Sequence, residues 1–234
     1  MADTRARILG VIRRGRGRRG PPDAEAVRAL EARLAAHRRN LIPARTDIDA
    51  DARVTLFVTM AEEAAATVTR VRDAKAVPKA LADYLAGANL PTRLVMAPDA
   101  ELAELPWDKA PMLEFRQGVA EAGDAVSLTP AFAGIAETGT LMLVSGPAHP
   151  STLNLLPDTH IVLLRRSRIV GSYEDGWDRL RAARANAPTA MPRTVLFVTG
   201  PSRSADIEQT LQLGAHGPRR LHILLLHDDD ASDA

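Results

Sequence analysis

Two rhythms of hydrophobic and polar residues run along the chain. Short, mainly apolar runs occur at residues 54–59 (VTLFVT), 92–96, 125–128, 141–145, 159–164, 194–199 (TVLFVT) and 221–226. Such runs predict strands buried on both faces. Between them, residues 61–72, 78–85 and 173–186 carry apolar positions every three or four residues, the period of a helix. The same spacing occurs at 3–12 and at 23–39, where Pro21-Pro22-Asp23 suits a helix start. Strands alternating with helices predict an α/β fold. Its organising stretch is 194–227. A strand at 194–199 leads into a helix at 202–213, with Ala205, Ile207, Leu211 and Leu213 as its apolar positions and Gly214 at its C-terminal cap. A second strand follows at 221–226. This pattern predicts a βαβ unit with parallel strands and a right-handed crossover.

At 234 residues the chain can bury a sizeable core. The expected division is a helical appendage over 1–51, a main domain over 52–227 and a disordered acidic tail (DDDASDA) over 228–234. Arg13, Arg14, Arg16, Arg18 and Arg19 crowd a glycine-containing stretch of the appendage. This is either a basic arm for an acidic partner or a solvated linker. No aromatic residue interleaves it, which favours the linker. Aromatics make up only 3% of the chain, which argues against a base-stacking platform for single-stranded nucleic acid. A net charge of +1 selects no polyanionic partner.

There is no cysteine, so disulfides, thiolate zinc sites and ordinary iron–sulfur clusters on this chain are excluded. The absence of disulfides fits a cytoplasmic setting. No apolar run approaches the roughly 20 residues of a membrane span, and the first residues lack the apolar core of a secretory signal.

Two stretches carry candidate chemistry. In Gly200-Pro201-Ser202-Arg203-Ser204 the chain leaves a strand and, on the predicted pattern, opens a helix. Unpartnered N–H groups and the helix dipole at such a start attract anions. Ser202 and Ser204 add hydroxyls, and Arg203 adds a guanidinium fork. The same residues serve equally as a helix cap and a solvated charge. In Gly134-Ile135-Ala136-Glu137-Thr138-Gly139-Thr140, Glu137 is a carboxylate in a glycine-flanked connection between two predicted strands, with Thr138 and Thr140 beside it. It could act as nucleophile or acid/base, or only accept from backbone N–H groups.

The remaining polar features are weaker. Arg165, Arg166 and Arg168 predict a solvated hairpin. Ser151 and Thr152 suit ordinary turns. His222 and His227 are five apart on a strand and face opposite ways, so they make no metal site. His216 enters the last strand from its amino edge. A simple sheet would hold it far from the Gly200 turn unless its loop folds back.

Four motifs occur in order: Gly134 to Thr140 as above, Leu156-Pro157-Asp158, Gly200-Pro201-Ser202-Arg203-Ser204-Ala205-Asp206-Ile207-Glu208, and Gly214-Ala215-His216-Gly217-Pro218. Together they resemble the lactate-utilisation protein C (LUD domain) family over roughly 54–226. Ser204 and Ala215 stand where the family more often has Thr and Val. The resemblance implies a fold like the NagB/RpiA/CoA-transferase superfamily, with a largely parallel central sheet flanked by helices. It also implies a part in oxidising L-lactate to pyruvate together with iron–sulfur partner proteins, which would carry the clusters this cysteine-free chain cannot. The two stretches themselves add the expectation of a small carboxylate or phosphate-bearing ligand held by Thr138, Gly139, Thr140, Gly200, Pro201, Ser202, Arg203, Ser204 and Asp206, with Glu137 facing the same cleft. Glu137-Thr138-Gly139 is also similar to part of the glutamate motif of class I CoA transferases. That leaves a stand-alone CoA-transferase-like or sugar-phosphate-isomerase-like enzyme as the alternative.

Overall fold

The structure, a computed structural model, describes residues 2–17, 20–187, 189, 191–204 and 212–228. Its contacts divide the chain into two compact units, Met1–Leu41 and Ile42–Ala234. The first holds helices α1 (Ala2–Gly15) and α2 (Ala24–Ala36). Asp23 caps α2 by accepting from Ala26 N at 2.8 Å, as the Pro-Pro-Asp start predicts. In α2, Val27, Leu30 and Leu34 are exposed and no residue is buried. Arg18 and Arg19 lie outside the described residues.

The second unit opens with α3 (Ala50–Glu63), followed by β1 (Thr67–Val71), α4 (Val77–Gly87) and β2 (Arg93–Met96). A short α5 (Ala100–Ala103), β3 (Glu114–Gln117) and β4 (Val126–Pro130) follow. Then come β5 (Ala133–Ile135), β6 (Thr140–Val144), β7 (Thr159–Arg165), β8 (Ile169–Val170) and α6 (Tyr173–Ala183). The chain ends with β9 (Val195–Val198), β10 (Arg203–Ser204), β11 (Gln212–Leu213) and β12 (Arg220–Leu226). Six strands form an all-parallel sheet in the order β1-β12-β7-β4-β2-β3. This is the α/β architecture expected. β8-β5-β6-β9 form a smaller mixed sheet, with β6 antiparallel to both of its neighbours.

The central strands are apolar on both faces because both faces are covered. Along β7, Ile161 and Leu163 pack toward α4, while Val162 and Leu164 pack toward α3. In β12, Leu224 and Leu226 join the α4 layer, and Ile223 and Leu225 the α3 layer. A third cluster sets Leu180 of α6 against Ala133, Ile135 and Met142 of the small sheet. No helix among the described residues is long and apolar enough to cross a membrane.

Several predicted elements are corrected. Residues 54–59 are helix, not strand. Val54, Phe57, Val58 and Ala61 form an i, i+3, i+4, i+7 stripe, buried on one face of α3, and Asp49 caps the helix by accepting from Ala52 N at 2.8 Å. The β-branched run is only the visible part of that stripe. The helix predicted over 61–72 gives way to β1. The strand at 194–199 exists as β9, but it pairs antiparallel with β6 in the small sheet, so it forms no βαβ unit with β12. It is a partly exposed edge strand, with Phe197 37% exposed. The helix predicted from Ser202 does not start there: Arg203 and Ser204 pair antiparallel with Leu213 and Gln212. Residues 205–211 lie outside those described, as do Asp206 and most of the acidic tail. The arginine hairpin is a single tight turn whose Arg165 and Arg168 bind the partly buried Glu101, at 2.5 and 2.8 Å.

Candidate functional site

Leaving β9, the chain reverses at Gly200 (φ +73°), where it presses on the end of α3. A methyl at this position would run into the carbonyl of Ala64. Arg203 reaches the same carbonyl and donates to it, satisfying an orphan acceptor at the α3 C-terminus. Ser202 is a staple between loops. Its N–H donates to Pro218 O at 2.8 Å, its carbonyl accepts from Gly214 N at 2.9 Å, and its hydroxyl accepts from His216 N at 3.2 Å. The row of free helix-start donors is therefore not formed at Ser202–Arg203, because these donors already have partners within the protein. The expectation that His216 lies far away is likewise corrected. Its loop folds back onto Ser202, because β9 lies in the small sheet and delivers Gly200 to the amino edge of β7 and β12.

The second stretch sits next door. β6 and β9 are hydrogen-bonded neighbours, so Thr140 and Thr199 face each other beyond the Leu141↔Val198 pair. Their hydroxyls meet at 2.6 Å. Thr138 joins Thr140 at 2.6 Å, and the Tyr173 hydroxyl bonds both, at 2.9 and 3.0 Å. Gly139 (φ +64°) lets the turn lie on the backbone of Met60 and Ala61. Glu137 is turned the other way. Its carboxylate accepts from Tyr173 N at 3.3 Å, at the start of α6. Its carbonyl accepts from Arg45 Nη2 at 2.7 Å, and its N–H donates to Gly171 O at 2.9 Å. The two motif stretches thus adjoin, while Glu137 is absent from the wall of the cleft described next.

That cleft has a volume of about 220 Å³ and is lined by residues 197–202 and 216–218, with Asn154, Leu155, His160 and Leu221. It gathers the Gly200 and His216 motifs directly. Asp158 stands at its margin, where its carbonyl accepts from Arg220 N at 3.1 Å. The Gly134–Thr140 motif connects through Thr199. Arg203 is not part of its wall.

Sequence reading missed His160. It is fully buried, and its Nε2 bonds Thr129 Oγ1 at 2.7 Å. Its Nδ1 has no hydrogen-bond partner. Burial disfavours the imidazolium and lowers its pKa from 6.5 to about 3, so the ring is neutral at pH 7. The signal was one polar ring inside the apolar run THIVLL, a place where a buried side chain needs a partner.

The LUD domain family model matches residues 54–226, the span holding all four motifs and both sheets. The chain belongs to the LUD domain family. This LUD domain protein is 42% identical over 101 residues to the uncharacterized protein NMB1437 of Neisseria meningitidis, a match covering 43% of this chain and 42% of that one. It is 38% identical over 94 residues to lactate utilization protein C of Bacillus subtilis, covering 40% and 39% of the two chains. With the protein of that name from Macrococcus caseolyticus it shares 33% over 122 residues, 52% of each. The LUD domain chain thus spans about half, or less, of the length of the curated relatives it matches. A crystal structure of a DUF162 family protein from Deinococcus radiodurans superposes with a TM-score of 0.58 at 22% identity, covering 76% of this chain and 99% of that one. This likeness bears on the fold alone.

Proposed function

We propose that this chain is the cluster-free subunit of a lactate-oxidising assembly. It acts with iron–sulfur partner proteins in converting L-lactate to pyruvate, and its motif cleft takes a small carboxylate or phosphate-bearing ligand. The observation that carries this reading is the convergence of segments far apart in sequence, contributed by two different sheets, on one cleft. The Ser202 hydroxyl accepts from His216 N, which leaves its own proton to donate. His216, neutral His160, Asn154 and Thr199 add further polar residues to the wall. Gly200 and Pro201 line the cleft. Thr138, Gly139 and Thr140 support it from behind through Thr199. Arg203 fixes the turn to α3 rather than meeting the ligand. The lack of cysteine makes iron–sulfur partners necessary for electron transfer in this scheme. The names of the Bacillus and Macrococcus relatives point the same way.

The test is genetic and biochemical. Clean deletion abolishes growth on L-lactate as sole carbon source, and the tagged chain brings down iron–sulfur proteins from lactate-grown cells. Undiminished growth of the deletion strain overturns the proposal. The Glu137→Gln chain separates it from the stand-alone enzyme reading. An amide oxygen still accepts from Tyr173 N, so this variant restores lactate growth and loses less than about 1 kcal/mol of stability. Loss of growth in a folded Glu137→Gln chain would favour the enzyme that uses Glu137 as nucleophile or base.

A further inference from the structure

The carboxyl edge of the six-stranded sheet opens onto a separate cavity of about 510 Å³. Among the described residues, none of the four motifs contributes to its wall. Asp99 follows β2, Thr129 and Pro130 end β4, and Arg168 follows β7, so three neighbouring strands deliver residues to one place. Ligands of open parallel sheets bind at this edge, and the volume falls within the range of small-molecule sites, about 300–1,000 Å³.

The polar groups in the wall differ in how far they are already satisfied. Glu101 is neutralised by Arg165 and Arg168, and Arg168 also donates to Ala131 O at 2.9 Å. Asp99 accepts from Glu101 N at 2.9 Å through one oxygen and holds His149 Nε2 at 3.0 Å with the other. A carboxylate on one ring nitrogen orients the imidazole and leaves Nδ1 for another partner. Arg179 is the cation left over. Its guanidinium lies 5.9 Å from the centre of the Phe132 ring, and its hydrogen bond to Ser167 O is long at 3.5 Å. Among the described residues it makes no ion pair, and Asp228 acts on it only at longer range. Burial and the nearby Arg168 charge both work against its protonated form, in that order. The negative charge of an anion in the cavity would offset both effects.

We infer that this cavity binds a small hydroxylated anion, with Arg179 holding its carboxylate or phosphate and the Asp99-backed His149 bonding its hydroxyl. The apolar floor of Ala131, Phe132 and Leu143 limits the ligand to a compact one. The site stands independently of the lactate reading. Among the described residues it touches the motif cleft through Asn154, which lines both, and through the Thr129–His160 hydrogen bond.

The test is calorimetric titration of the full chain with L-lactate, acetate and inorganic phosphate. Lactate or phosphate binds, and which of the two does so names the ligand class. Arg179→Gln weakens that binding roughly tenfold or more, as expected for a lost charge-assisted hydrogen bond, and Arg179→Lys recovers part of it. His149→Gln weakens L-lactate but not acetate. Ser202→Ala, in the other cleft, leaves the Arg179-dependent binding event in place, and Lys79→Ala, on the exposed face of α4 outside both cavities, leaves all of these affinities unchanged. No binding of any probe, or an Arg179→Gln chain that binds as well as the parent, overturns the inference. Binding lost in Ser202→Ala but kept in Arg179→Gln overturns it while leaving the lactate proposal standing. Loss of the lactate-growth phenotype alone does the reverse.

Discussion

Gly139→Ala is expected to destabilise the protein by about 2–5 kcal/mol, combining a left-handed backbone penalty with overpacking against main-chain atoms. At φ +64° an added methyl would stand 2.5 Å from the carbonyl carbon of Met60 and 2.6 Å from Cα of Ala61, and closer still to Ala61 N. These are backbone atoms of α3, a helix anchored by fully buried Phe57 and Ala61, so no flexible side chain can yield. Gly200 meets the same helix end with φ +73°, and its methyl would strike Ala64. The glycines flank the Thr140–Thr199 hydroxyl contact, Gly139 just before β6 and Gly200 just after β9. Urea unfolding followed by circular dichroism reads the change as a lowered midpoint. A Gly139→Ala chain with the parent's midpoint would show that the turn does not rest on α3 as described.

The second large effect is acid sensitivity from two buried histidines. His160 has a pKa of about 3, and His222 about 4, each lowered by burial from 6.5. His222 stacks on Tyr84 with ring centres 3.5 Å apart, and its Nδ1 bonds Thr67 Oγ1 at 2.8 Å. As pH falls below about 6.5 the unfolded chain takes up protons that the folded chain refuses, so stability rises with pH in this window. The contribution is complete above the unfolded pKa and is lost as pH falls toward the folded values. At pH 5 each histidine accounts for about 2 kcal/mol of lost stability, or about 4 kcal/mol together. Urea midpoints between pH 7.5 and 5 should fall accordingly. His160→Gln or His222→Gln should each remove about half of the slope. A slope unchanged in both variants would mean that carboxylates, not these rings, govern the acid response.

The legible parts of the fold were those whose pattern had one meaning. β4, β6, β7, β12, α4 and α6 lie where the apolar runs and helical spacing put them. VTLFVT at 54–59 failed because a six-residue window cannot separate a strand from the buried stripe of a helix. The wider spacing from Val54 to Ala61 carried the answer. TVLFVT at 194–199 was a strand, but its sheet could not be read, because partner choice depends on the Leu141↔Val198 pairing 57 residues away. The Gly134 and Gly200 motifs were visible as punctuation, and their adjacency was not. The chemistry assigned to them changed most. Arg203 turned out to serve a helix end, and Glu137 a helix start. The carboxyl-edge cavity escaped notice because Asp99, His149 and Arg179 lie up to 80 residues apart and share no motif.

The placement of β12 between β1 and β7 bears on how the protein is made. Among the described residues β1 has β12 as its sole strand neighbour, and Thr67 waits for His222. A ribosome reading from the amino end therefore produces almost the whole domain before its sheet can close. Until Arg220 and the residues after it emerge, β1 lacks its mate and one flank of β7 stays bare, a state open to mispairing between nascent chains. Truncation upstream of Arg220 would make that transient vulnerability permanent.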